Sequence, residues 1–473
     1  MLFSSMLFLW LFLPLVLLLN FLIKNIRLKN IMLLFASLLF YAWGEPVNVI
    51  LLIISIFINW LGGLLLVKYE SGKKLILFLC VVLNLSILGY FKYANFFLNT
   101  IDKLLPFVSL PRVNIALPIG ISFFTFQAMS YVIDLYRKKI NVQKNIFDLA
   151  LYISFFPQLI AGPIVKYRDI DKQILSRTVS FTDTAEGFRR FIYGLGKKVV
   201  VSNVLAQTSD LVFALEVDKL TTLSAWIGAV FFSLQIYYDF SGYSDMAIGL
   251  GKMFGFNFNE NFIYPYISSS IKEFWRRWHI SLSSWFKEYL YIPIGGNRNG
   301  NVRTYINLLI VFMATGLWHG ASWSFVGWGL YHGFFLVIER LGFGKMLEKT
   351  RLFKHIYAVI VVMIGWILFN ARSLSFGLGM IKCLFVPTQG NGVMTFPVIL
   401  STLGISALTI FVLIIAIIGC GPLQLIFSKK GFEAVGGKWK GSAAEAVFAA
   451  AMLIYCIVLL ANNTYNPFIY FRF

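Results

Sequence analysis

Apolar runs of about twenty residues follow one another along this chain, with charge confined to the short intervals between them, and this alternation restricts the fold more than any other feature. Only 13% of the 473 residues are charged, against roughly 25% in a soluble domain, and 59% are hydrophobic, with a mean hydropathy of +0.77. A backbone surrounded by lipid must satisfy its own polar groups, so the expected class is an all-α polytopic membrane protein. At about 20 residues per span plus loops, the length accommodates about eleven to thirteen spanning or re-entrant helices. The net charge of +20 does not imply nucleic acid. Its Lys and Arg residues sit in short loops, where the positive-inside rule accounts for them. Cys80, Cys383, Cys420 and Cys456 lie in apolar surroundings without close spacing, which argues against a disulfide framework or a metal site.

The loops fix an expected topology. Lys24, Arg27 and Lys29 follow the first apolar run, Glu45 the second, and Lys68, Lys73 and Lys74 the third. Basic loops alternate with a poorly basic one, so the N-terminus is expected outside. Met1 to Ile23 lacks a basic leader and a small-residue cleavage site, and reads as an uncleaved first span. The chain reads as one membrane-embedded domain over 1–473. N-terminal spans occupy 1–113, a core 114–345, and the last spans with an aromatic tail 355–473.

Several segments do not suit lipid. Leu117 to Gln127 carries Pro118 and Gly120, and Phe156 to Pro163 carries two prolines and a glycine, so both are expected broken or re-entrant and shielded by protein. Gln127 and Asp134 should face protein or a cavity. Asp239 and Asp245 adjoin the apolar run from Thr221 to Tyr238, and each carboxylate in a membrane interior costs about 2.5 kcal/mol or more. They are therefore expected to be hydrogen-bonded or to line water, in a structural or a direct site role. Arg189, Arg190, Lys197 and Lys198 are read as contacts for lipid headgroups or for an anionic ligand.

Chemistry concentrates between Ile271 and Gly333, which holds His279, His319 and His332 among tryptophans and arginines. At about 100° per residue, Trp275, Trp278, Leu282, Trp285, Phe286 and Tyr289 share one face, and Arg276, Arg277, Ser281, Ser284, Lys287 and Glu288 the other. An amphipathic interfacial helix over 272–290 is expected, with His279 at the border of its faces. The following loop, Gly295 to Gly300, with Arg298 and Arg303, offers backbone N–H groups and guanidinium forks to phosphate. Arg276, Arg277, Arg298 and Arg303 are thus candidate binders of a phosphorylated cofactor, although an ordinary cytoplasmic turn explains the arginines equally well. From Thr304 to Ile338 there is no Asp, Glu, Lys or Arg, yet His319 and His332 lie within the run. A histidine at that depth needs a partner or a task, and general-base catalysis is one. Gly316 and Gly320 thin the helix beside His319. His355, next to Lys354, reads as a surface residue.

The segments Leu117–Gln127, Phe156–Pro163, Gln235–Asp245, Phe274–Trp285, Tyr291–Asn297 and Leu317–Gly320 together resemble successive signatures of the membrane-bound O-acyltransferase family. More narrowly they resemble its bacterial branch of alginate and peptidoglycan O-acetyltransferase membrane subunits. The resemblance implies a helical bundle with a thinned core and a tunnel, its donor entering from the cytoplasm and its acceptor from outside. It assigns the family's buried histidine to His319 and its second polar position to His279. The last residues, Asn466 to Phe473, are similar to an aromatic motif of this branch and of small partners in teichoic acid D-alanylation, in which a tyrosine is thought to carry the acyl group; here that residue is Tyr470. Read without the resemblance, Phe468, Phe471 and Phe473 are an interfacial anchor.

The implied activity is acetyl transfer from acetyl-CoA, across a bacterial inner membrane, toward an extracytoplasmic polysaccharide such as alginate or peptidoglycan. The resemblance further implies delivery through a separate Ser-Gly-Asn-His-type esterase; no Gly-x-Ser-x-Gly elbow that would supply this second activity is seen in the sequence. The alternatives are D-alanyl transfer from a carrier protein to teichoic acid, a transporter built on broken helices, and a scaffold without chemistry.

Overall fold

The computed structural model describes residues 1–105, 115–388, 396–421, 442–462 and 465–469. Among them every regular element is a helix. The all-α, polytopic membrane architecture is the one implied by the apolar runs. Among the described residues, four helices can cross a membrane by length and composition: Val49–Lys68, Lys73–Leu104, Phe353–Asn370 and Ala443–Asn462. Three further apolar helices, Phe8–Leu22, Leu374–Phe385 and Ala407–Cys420, are shorter. The chain divides into two compact units, one comprising Met1–Phe191 with Ser244–Glu260, the other Ile192–Tyr243 with Asn261–Phe473.

In the first unit, Val49–Lys68 (α1), Lys73–Leu88 (α2) and Ile121–Tyr136 (α3) pack on one another. Apolar helices gain no hydrophobic drive from leaving lipid, so polar pairs and close backbones hold them together. Asn59 and Asn84 supply one such pair, each side-chain amide donating to the other's carbonyl at 3.0 Å. Helix α3 is buried along nearly its whole length, which accounts for Gln127 and Asp134. Arg168 meets Asp134 at 3.3 Å. At the start of α3, Gly120 has a left-handed φ of 77°, and a Cβ there would lie 2.8 Å from the Leu159 carbonyl. The broken segment expected at Phe156–Pro163 is a single buried helical turn, Phe156–Leu159, and Gly120 lets α3 begin against it. Arg190 donates to Asp245 at 2.8 Å and also pairs with Glu260. It therefore has carboxylate partners within the protein, where the sequence had suggested headgroups or an anionic ligand. Burial lowers the pKa of the Arg177 guanidinium, which donates to the Phe254 carbonyl, to about 10.

The second unit contains the core of interest. Gly300–His319 (α4) and Trp323–Ile338 (α5) pack against each other along their length. A Cβ on Gly316 would come within 2.2 Å of the Phe325 carbonyl, and one on Gly329 within 2.2 Å of the Phe312 carbonyl. The thinning read from Gly316 thus admits the backbone of the next helix. Gly316→Val is expected to destabilise the protein by about 1–3 kcal/mol, measured as a lower melting temperature in detergent; unchanged melting would show that this contact is not needed.

Candidate active site

The expected continuous helix over 272–290 is broken. Ile271–Arg277 and Ile280–Phe286 are separate helices, divided at His279, whose φ of 44° and ψ of 55° are left-handed. The apolar face continues in phase across the break, so periodicity gave no warning. Capping groups explain it. Glu339 accepts from the Ile271 and Lys272 N–H groups at 2.6 and 3.1 Å, closing the start of the first helix. Asn261 does the same for the second, its backbone carbonyl accepting from the Ile280 N–H at 3.0 Å and its side-chain carbonyl from the Ser281 N–H at 3.1 Å. Nor do the tryptophans form an interfacial belt: Trp275, Trp278 and Trp285 are buried in protein. The His279 backbone is held in a costly region by its surroundings, as is common where a side chain must be aimed.

The aim of His279 is readable. Its Nδ1 lies 3.3 Å from Asn261 Oδ1, and the Ser281 hydroxyl donates to the same oxygen at 2.9 Å. An amide oxygen only accepts, so Nδ1 carries the hydrogen and Nε2 the lone pair. Nε2 is buried, with no hydrogen-bond partner among the described residues. Phe240 stands edge-on to the ring at 4.5 Å, and the Trp318 indole lies 5.9 Å away between centroids.

His319 is the last residue of α4, where Gly320 turns extended and ends the helix. The residue is 5% exposed, with the rings of Trp318, Trp328 and Phe369 at 4.8, 5.1 and 5.1 Å from its own. Trp318 therefore touches both His279 and His319, and Trp328 continues the series to His332 at 5.2 Å. His332 is buried among Trp275, Trp328 and Tyr331, in an aromatic core. Two imidazoles sharing one indole in a water-poor setting can move a proton to or from a reacting group and orient it.

Other expected residues are placed differently. Arg277 is committed to Glu273 at 2.8 Å and to the Ile263 carbonyl at 3.2 Å. Burial acts to raise the Glu273 carboxyl, but the Ser269 N–H and hydroxyl and the Arg277 guanidinium hold it below its ordinary value. Arg276, Arg298 and Arg303 are exposed. The Gly295–Gly300 loop has left-handed Gly295, Gly296 and Gly300, and the Asn307 amide fastens it through the Gly296 carbonyl at 2.9 Å. His355 is not a free surface residue: it is half-buried, with Nδ1 3.0 Å from the Ile267 carbonyl. Asp239 is buried and paired with Lys198 at 2.6 Å. Tyr470 lies outside the described residues. Two residues the sequence reading missed are Asn261, which holds His279, and Lys198, which had read as a basic flank. Neither belongs to a local pattern, because their partners lie 18 and 41 residues away in the chain.

The chain is similar to known proteins over most of its length. The family model described as MBOAT, membrane-bound O-acyltransferase family, matches residues 73–381. The chain is 40% identical to a probable alginate O-acetylase AlgI of Azotobacter vinelandii, with 100% of both chains covered. It is 44% identical to the protein of the same description from Pseudomonas aeruginosa, over 81% of this chain and 75% of the relative. A peptidoglycan O-acetyltransferase of Helicobacter pylori is 36% identical over 81% of this chain and 79% of its own. With its all-helical fold and a histidine buried at the end of a glycine-packed helix, this chain belongs to the membrane-bound O-acyltransferase family and is an O-acyltransferase.

Proposed function

We propose that the protein transfers acetyl from cytoplasmic acetyl-CoA, across a bacterial inner membrane, for O-acetylation of an extracytoplasmic polysaccharide of the alginate or peptidoglycan kind. The observation that carries this reading is the buried His319, joined through Trp318 to a His279 whose Nε2 lone pair is left open. The relatives named as alginate O-acetylases and a peptidoglycan O-acetyltransferase support the choice of acyl group and acceptor class.

In the proposed reaction, the Tyr470 hydroxyl oxygen attacks the thioester carbonyl carbon while His319 accepts the phenolic proton. Collapse of the tetrahedral intermediate breaks the carbon–sulfur bond. The CoA thiolate leaves with the proton returned from His319, and the acetyl group remains as a tyrosine ester. His279 polarises or positions the reacting groups. A separate extracytoplasmic Ser-Gly-Asn-His-type transferase then moves the acetyl to a sugar hydroxyl, and the tyrosine regains its proton. Arg276, Arg298 and Arg303 are assigned to the phosphates of the donor, and Arg277 only through its place beside them, since Glu273 already engages it.

The test is release of CoA thiol by purified protein in lipid nanodiscs, with acetyl-CoA and a D-alanyl carrier protein offered as competing donors. Acetyl-CoA consumption is expected; consumption of the carrier's D-alanine alone would reassign the reaction. Asn261→Leu supplies a second check. It removes the acceptor of His279 Nδ1 and of Ser281, and is expected to slow transfer about tenfold, equivalent to about 1.4 kcal/mol in the barrier. An unchanged rate would remove His279 from the mechanism.

A further inference from the structure

Lys198 and Asp239 form an ion pair at 2.6 Å whose side chains are only 3% and 2% exposed. Burying both charges carries a desolvation cost that their mutual attraction offsets only if their remaining hydrogen-bonding capacity is also used. Part of that capacity, one Lys198 donor and Asp239 Oδ2, goes to one irregular piece of backbone near the end of the described residues. Lys198 Nζ donates to the Pro467 carbonyl, and Asp239 Oδ2 accepts from the Ile469 N–H at 2.9 Å. Between these two contacts the Phe468 ring lies 4.8 Å from that of Tyr243, with the Lys198 ammonium 5.7 Å from its centroid. Upstream, the Asn203 amide donates to Asn466 Oδ1 at 3.2 Å, and the Tyr465 hydroxyl donates to Asp210 at 2.6 Å. A pair serving only to tie two helices together has no need of a backbone acceptor and donor two residues apart.

We propose that Lys198 and Asp239 are a clamp that fixes the position and register of the 465–469 segment, and so act as positioning residues for the acyl-relay tyrosine. This rests on the reading of Tyr470 as the relay. Tyr470 is the next residue after Ile469, and consecutive Cα atoms are about 3.8 Å apart, so holding the Ile469 N–H limits where Tyr470 begins. A slip by one residue would offer Asp239 a different N–H and move the phenol by a residue's length. The neutral flanking contacts add grip, but the two ions supply polarity: the ammonium can only donate, to a carbonyl, and the carboxylate can only accept, from an N–H.

The experiment places Ile469→Cys in full-length protein in native membranes and follows alkylation of the introduced thiol by a maleimide, read on its own peptide by mass spectrometry. Ile469 is buried, so a thiol at this position is expected to be protected. Lys198→Met with Asp239→Leu, which removes both charges together and so leaves neither unpaired, is expected to speed alkylation at least tenfold. In the Ile469 background the same pair of substitutions should lower acetylation of Tyr470 at least tenfold at saturating acetyl-CoA, with KM for acetyl-CoA unchanged. A general loss of structure would change KM for acetyl-CoA as well. If the double variant does not fold, Ile469→Pro, which deletes the N–H given to Asp239 and leaves the ion pair intact, is expected to produce the same drop in Tyr470 acetylation. A thiol at position 469 that stays protected in the double variant, or Tyr470 acetylated at the wild-type rate in a folded clamp variant, overturns the clamp. Failure of the relay reading has a different signature: Tyr470→Phe would then sustain polymer acetylation, while alkylation at position 469 still reports on the clamp.

Discussion

His319→Ala is expected to lower CoA release and acyl transfer by about 10²–10⁴-fold, the usual contribution of a positioned general base, with the protein still present in the membrane. A tyrosine hydroxyl is a weak nucleophile near neutral pH, and its attack on a thioester needs a group that takes the proton as the bond forms. In the proposed mechanism His319, at the end of α4 with the rings of Trp318, Trp328 and Phe369 packed around it, is that group. Removing a buried ring also leaves a cavity, so stability must be measured beside activity. His319→Gln keeps most of the volume and a hydrogen-bonding group but cannot act as a base near neutral pH. It is expected to melt closer to wild type while remaining as inactive as His319→Ala. Wild-type CoA release by either variant would exclude His319 as the base.

What was legible in the sequence was what broke a local rule. His319 stood out because a run without Asp, Glu, Lys or Arg contained an imidazole beside two glycines. The broken segment near Phe156–Pro163 stood out because prolines and glycine cannot face lipid, and the structure places a single buried turn there. What could not be read depends on partners distant in the chain. The break at His279 follows from Asn261 taking the first N–H groups of the next helix, while the hydrophobic period runs on undisturbed. Lys198 and Arg190 read as contacts for lipid headgroups or an anionic ligand, and only the fold shows that Asp239 and Asp245 are their counter-ions. A positive charge after an apolar run has the same appearance in sequence whether it meets a headgroup or a buried carboxylate.

Tyr470→Phe is expected to abolish the covalent acetyl-enzyme and reduce polymer acetylation in cells to background, with membrane levels of the protein unchanged. The substitution removes one oxygen. It leaves the aromatic ring, and with it any anchoring of the kind Phe468 makes against Tyr243, so a purely anchoring role predicts little effect. The relay role predicts complete loss, because without the phenolic oxygen no ester can form on that residue. Intact mass after brief exposure to acetyl-CoA separates the two roles. Wild type should gain one acetyl group, localised to Tyr470 and labile to hydroxylamine; Tyr470→Phe and His319→Ala should gain none. The order of events follows from a further contrast. If direct transfer to water or to an added acceptor persists in Tyr470→Phe but not in His319→Ala, the histidine activates whichever hydroxyl reaches the thioester and the tyrosine only carries the group outward. If both variants lose CoA release equally, the tyrosine hydroxyl is the sole nucleophile admitted, and the 465–469 segment held by Lys198 and Asp239 is what brings it there.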